Sequence, residues 1–342
     1  MKNSVKIVLA ALLATLAIIT QTGCGNNEVS KTDYCLNTTC EIKIYNMSQK
    51  EAEELLGIAF KKIHEYENLL SKTVEGSDIY KINNAGGSPV KVSDDTIRVI
   101  EQGIYMGDLS GGMFDITIGK VSDMWDFTGE NPAVPSQTSI DEALPAVDYR
   151  NINIEGNKVT LKDSNSQLDL GGLAKGYIAD RIGEFLEVKG VSSAIINLGG
   201  NVIALGSKDG EMPWTIGVER PYSDRTEIVG SVEVKDATLV TSGVYKRKFE
   251  QNGILYHHIL DPNTGFPVDS GLESVTIVAK KSNSCFCDGL STTCLMLGQE
   301  EGMALIRQLQ QECSDMGIEA VFIDKNDDMV TTDGFKIKLL EE

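Results

Sequence analysis

Residues 194–234 open with Ala194-Ile195-Ile196-Asn197-Leu198-Gly199-Gly200-Asn201-Val202-Ile203-Ala204-Leu205. They continue through Trp214–Val218 to Ile228–Val234. Ala194–Asn197, Val202–Leu205, Trp214–Val218 and Ile228–Val234 each read as a short apolar strand, and no helical repeat separates them. A parallel sheet needs a long crossover, usually a helix, between successive strands. Strands clustered mid-chain without βαβ alternation point instead to an α+β fold, with largely antiparallel sheets and packed helices.

Further strands lie outside this cluster at Glu41–Tyr45, Asn151–Ile154, Lys158–Leu161 and Ser274–Val278, with Glu155-Gly156-Asn157 as a hairpin turn. Ser48 followed by Glu51 has the form of a capping box. After it, Ala52, Leu55, Leu56, Ala59, Ile63, Tyr66 and Leu70 recur at helical spacing, with His64 beside the stripe. A second helix follows Ser93, a third begins near Gly171-Gly172, and two more cover Asp288–Leu297 and Glu300–Gln311. Glu130–Pro145, which contains three prolines, reads as a surface loop.

The first residues read as a targeting segment. Lys2 and Lys6 precede an apolar run from Ile7 to Ile19 that only Thr15 interrupts. Thirteen residues (19 − 7 + 1) suit a signal-peptide hydrophobic region better than a membrane span. Gln21-Thr22-Gly23-Cys24 then resembles a bacterial lipobox. That resemblance implies a signal peptide over 1–23, a lipidated Cys24, a polar tether over 24–37 and a folded domain over 38–342. The domain would sit at the cell membrane, facing outside the cytoplasm. The chain carries 31 Lys plus Arg against 50 Asp plus Glu, a net charge of −19. So acidic a chain is unsuited to nucleic acid, although a metal ion can reverse the sign locally for a phosphate ligand. The seven cysteines form neither a zinc pattern nor a disulfide framework; Cys35 and Cys40 could pair outside the cell.

Five polar, glycine-punctuated segments stand out: Ser71–Asn83, Gly111–Thr117, Asp169–Tyr177, His257–Gly265 and Asp288–Thr292. In Asp169-Leu170-Gly171-Gly172-Leu173-Ala174-Lys175-Gly176-Tyr177, glycines entering a helix with a lysine in its first turn would cradle a phosphate. The same residues also make an ordinary tight turn. Asp288 and Thr292, four apart on a helix, offer hard oxygens suited to Mg²⁺, or else an N-cap and a packed threonine. His258, beside Asp261 and Thr264, is a candidate general base; Asp-Pro-Asn-Thr-Gly is equally a self-satisfied turn.

Taken in order, G-G-M-F-D-I-T, D-L-G-G-L-A-K-G-Y, I-N-L-G-G-N, H-H-I-L-D-P-N-T-G and D-G-L-S-T resemble the ApbE family of FAD:protein FMN transferases. The resemblance runs from about Leu36 to the C-terminus. It implies Mg²⁺-dependent transfer of FMN from FAD to a threonine hydroxyl of an extracytoplasmic acceptor flavoprotein, with release of AMP. It also implies metal ligands at Asp288, Thr292 and the Gly172 carbonyl, Lys175 at the FAD phosphates, and His258 as the base. Leu36, Met113, Phe114 and Asp115 would contact the flavin. Two departures are visible: Gly289 stands where the family usually has alanine, and Lys72-Thr73-Val74 stands where it often has an aromatic residue. Water in place of the acceptor would make the same site an FAD pyrophosphatase. A non-enzymatic FAD-binding lipoprotein is the other alternative.

Overall fold

The computed structural model describes residues 28–222 and 227–340. Its centre is an eight-stranded sheet in the order Glu28–Cys35, Thr38–Tyr45, Ser193–Leu198, Asn201–Gly206, Ala237–Gly243, Leu272–Lys280, Glu319–Asp324 and Met329–Thr331. Every neighbouring pair is antiparallel, as the clustering of strands predicts.

Alternation along the inner strands buries both faces of this sheet. On Glu319–Asp324, Ala320 and Phe322 join the main core while Val321 and Ile323 face a second one. The main core is closed by helices Gln49–Leu70, Asp94–Leu109, Ala174–Val188 and Ser284–Glu312. The second core is closed by a three-stranded sheet of Trp214–Glu219, Ile228–Val234 and Ile337–Leu339. A third, aromatic cluster forms where Trp125 packs against Phe127, Phe249, Tyr256 and Phe266.

The structure corrects three expectations. Residues 28–35 are not tether: Glu28–Cys35 is the edge strand of the main sheet, paired along its length with Thr38–Tyr45. An edge strand can be polar because its outer face meets water, so composition alone hides it. Cys35 and Cys40 are free thiols, as are all six cysteines among the described residues. The hairpin register sets Cys35 opposite Thr38 and Cys40 opposite Asp33, so the two are not cross-strand partners. Within the predicted proline-rich loop, Gln137–Ala143 is a short helix capped by Ser136. The signal peptide, Cys24 and the start of the tether lie outside the described residues. No helix among the described residues is long and apolar enough to cross a membrane.

Candidate active site

The loops at one end of the sheet and helices enclose a cavity of about 480 Å³. Its walls come from the Leu36-Asn37 turn, residues 70–73 after the first helix, Met113–Asp115, Asp169–Gly172, Thr241–Gly243, His258–Leu260 and the Ser284–Glu312 helix. Segments distant in sequence, the glycine loop and the Asp288 helix among them, therefore meet around one space.

Asp288 is not an N-cap. Its helix begins four residues earlier, at Ser284, with Asn283 in the cap position. Asp288 is 3 % exposed, and its Oδ2 accepts the Gly176 amide at 3.0 Å and lies 3.3 Å from Lys175 Nζ. The amide comes that close because residue 176 has no side chain: a Cβ there would lie 2.2 Å from the Ser284 carbonyl oxygen. One turn on, Thr292 also lines the cavity. The helix breaks at Gly298 (φ 82°, ψ 178°), which separates the two helices read from the sequence.

Facing Asp288 is the glycine loop. Asp169 accepts from the Gly171 amide at 2.9 Å and from Ser122 Oγ at 3.0 Å, and its Oδ2 is 2.8 Å from Lys72 Nζ. Burial alone would raise the Asp169 carboxyl, but the Lys72 charge and these hydrogen bonds outweigh it and hold the group at about 2. The loop is thus pinned by an ion pair before it enters helix Ala174–Val188. Gly172 packs so closely on Phe114 that a Cβ would meet its ring at 3.0 Å.

Met113, Phe114 and Asp115 all line the cavity. The Asp115 carboxylate nevertheless turns inward: Oδ1 accepts from the Thr117 amide at 2.7 Å and hydroxyl at 2.6 Å, and Oδ2 from the Tyr149 amide at 2.9 Å. It braces the loop that presents its neighbours. Leu36 sits on the cavity rim, its amide donating to Glu67 Oε1 at 2.7 Å.

His258 lines the cavity, whereas Asp261 and Thr264 do not. Asp261 satisfies its own turn, accepting from the Asn263 amide at 2.8 Å. The His258 Nδ1 lies 3.3 Å from the Arg247 carbonyl oxygen. A carbonyl only accepts, so Nδ1 carries the proton and Nε2 keeps a free lone pair. Burial, then the neighbouring charges of Arg247, His257 and Lys175, push the imidazole down to about 3. The ring is neutral across ordinary pH.

Residues 36–316 match the sequence profile of the ApbE family. This chain belongs to the ApbE family. It is 33% identical over 315 residues to the FAD:protein FMN transferase of Treponema pallidum (strain Nichols), covering 86% of this chain and 84% of that protein. It is 36% identical over 283 residues to one from Klebsiella pneumoniae (strain 342), covering 81% of this chain and 84% of the relative. The solved ApbE protein of Thermotoga maritima superposes with a TM-score of 0.80 at 30% identity, over 90% of this chain and 97% of that one.

Two parts of this ApbE cavity escaped the sequence reading. Lys72, within the departing stretch Lys72-Thr73-Val74, is bound on three sides, by Asp123 Oδ1 at 2.6 Å, Ser122 Oγ at 2.6 Å and Asp169 at 2.8 Å. A lone lysine after a helix carries no motif; only its three partners, scattered in sequence, reveal it. Ser242 lies on strand Ala237–Gly243, and its hydroxyl is 2.8 Å from that of Thr292. Strand character in Ala-Thr-Leu-Val-Thr was the available signal. Gly289, the other departure, packs where a Cβ would meet Met106 and Leu173 at 2.8 Å.

Proposed function

We propose that this ApbE-family enzyme is a Mg²⁺-dependent FAD:protein FMN transferase acting on a threonine of an extracytoplasmic flavoprotein. The reading is supported by one observation above all: Asp288, Thr292, Gly172, Lys175 and His258, from three separate segments, line a single cavity. The donor set suits the ion. A carboxylate, a hydroxyl and a carbonyl are hard oxygens, and Mg²⁺ accepts few protein ligands when substrate phosphates supply the rest. Among the described residues no three His, Cys, Asp or Glu side chains could hold a metal together. Binding would therefore depend on the FAD pyrophosphate.

In this reading Gly172 O, Asp288 and Thr292 would hold the cation, which when bound supplies charge stabilisation at the pyrophosphate oxygens. Lys175, now against Asp288, would turn its charge to the same phosphates. Met113, Phe114 and the rim residue Leu36 would orient the flavin. His258 Nε2, neutral and with its lone pair free, would take the proton of the acceptor threonine. The threonine oxygen attacks the FMN-side phosphorus, a P–O bond of the pyrophosphate breaks, and AMP departs. The product is FMN joined to threonine by a phosphoester. An acidic chain anchored by a lipid on Cys24 would carry out this chemistry at the outer face of the membrane.

Asp288→Asn tests the proposal, since it keeps the shape and removes the charge. Transfer to a flavoprotein acceptor, followed by mass spectrometry at stepped Mg²⁺, should be lost at low Mg²⁺ and FAD should bind without metal dependence. Wild-type transfer by Asp288→Asn at low Mg²⁺ would remove the metal from the mechanism.

A further inference from the structure

From the cavity wall at Thr292 and Ser242 inward to the buried Ser291, three hydroxyls and one carbonyl form an unbroken line. Thr292 Oγ1 lies 2.8 Å from Ser242 Oγ, and Ser242 Oγ lies 2.8 Å from Ser291 Oγ. Ser291 Oγ lies 3.1 Å from the carbonyl oxygen of Asp288. Each hydroxyl has one proton, so three protons must serve three contacts. The carbonyl can only accept, which makes Ser291 its donor. Ser291 then accepts from Ser242, and Ser242 from Thr292. No other direction satisfies all three bonds.

We infer that Ser242 is a positioning residue for the cation site: it takes the only proton of Thr292, so the Thr292 oxygen shows nothing but lone pairs to the cavity. This rests on the metal reading above. A free threonine hydroxyl samples three rotamers and can aim its O–H at an incoming cation. One that donates to Ser242 is held in a single rotamer with its acceptor side forward. Ser242 itself is well fixed. It pairs with Val275 of strand Leu272–Lys280, two residues past Val240, where its own strand stops pairing with Asn201–Gly206 on the other side. Ser291, at the far end of the line, is fully buried. The arrangement has the logic of an outer shell that orients a metal ligand through its hydrogen bond. It also joins the sheet to the Asp288 helix at the point where that helix would meet the metal.

The test is FAD binding to the intact enzyme without acceptor, followed by flavin fluorescence while Mg²⁺ is stepped, so that turnover plays no part. Ser242→Ala should raise the Mg²⁺ concentration needed for half-maximal coupling about tenfold, near the lower end for outer-shell losses. Ser242→Thr, which keeps the hydroxyl on a strand that favours β-branched residues, should restore it. Thr292→Val should weaken Mg²⁺ coupling too, and adding Ser242→Ala to it should cost nothing more, because both changes break one link. If Asp288→Asn and Thr292→Val weaken coupling but Ser242→Ala does not, or if the two losses add in full, the relay is wrong and the metal site stands. If Asp288→Asn and Thr292→Val leave coupling unchanged, the metal reading itself has failed and the relay falls with it.

Discussion

Gly176→Ala should damage both the fold and the site, and the structure sets the size of the effect. The added Cβ would lie 2.2 Å from Ser284 O, 2.6 Å from Ser284 C and 2.8 Å from Cys285 Cα. All three are backbone atoms, so no rotamer change relieves them. Ordinary contact begins at 3.4 Å, and the two helices must part by about 1.2 Å (3.4 − 2.2). Overpacking of this kind costs about 1–3 kcal/mol. The shift also stretches the 3.0 Å bond from the Gly176 amide to Asp288, and a bond to a charged acceptor contributes about 1.5–3 kcal/mol. Together they predict a loss of about 2.5–6 kcal/mol, read as a fall in Tm of about 4–9 °C for a chain of this length. The same displacement carries Asp288, one turn beyond Ser284, away from the substrate. A 1 Å misplacement of reacting groups costs about 10²-fold in rate. Thermal unfolding and single-turnover FMN transfer on the same preparation would check both numbers. A variant melting within about 1 °C of wild type and transferring FMN at the wild-type rate would refute the close-packing argument.

His258→Asn should slow transfer by about 10²–10⁴-fold with little change in FAD binding, as loss of a general base does. The folded imidazole titrates near 3 against 6.5 when unfolded, so the unfolded chain takes up the proton first. Wild-type stability should therefore fall as pH drops from 6.5 toward 3, and denaturant unfolding of the variant should lack that part of the slope. Cys24→Ala should leave an unprocessed or soluble chain; unchanged lipid labelling and membrane retention would count against the anchor.

What could be read from the sequence was whatever repeats along the chain. Strands Ala194–Asn197, Val202–Leu205 and Ile228–Val234 showed themselves by apolar runs, and the first helix by its capping box and stripe. Asp288 and Thr292 were legible because four residues is one helical turn. Metal ligand and helix cap share that spacing, however, and the helix start at Ser284 excludes the cap. Lys72 and Ser242 could not be found this way. Their partners lie 97 (169 − 72) and 50 (292 − 242) residues away, and nothing local marks them. Glu28–Cys35 was missed for another reason: an edge strand needs no apolar alternation, only a neighbour to pair with.

That first strand also governs reach. It runs eight residues, about 26 Å, from Glu28 to the rim of the cavity at Leu36. With a lipid on Cys24, as proposed, at most about 14 Å of extended chain joins the bilayer to Glu28. The rim would then stand no more than about 40 Å from the membrane, at the far end of a stiff paired strand. In that proposal an acceptor would have to present its threonine within that height of the bilayer.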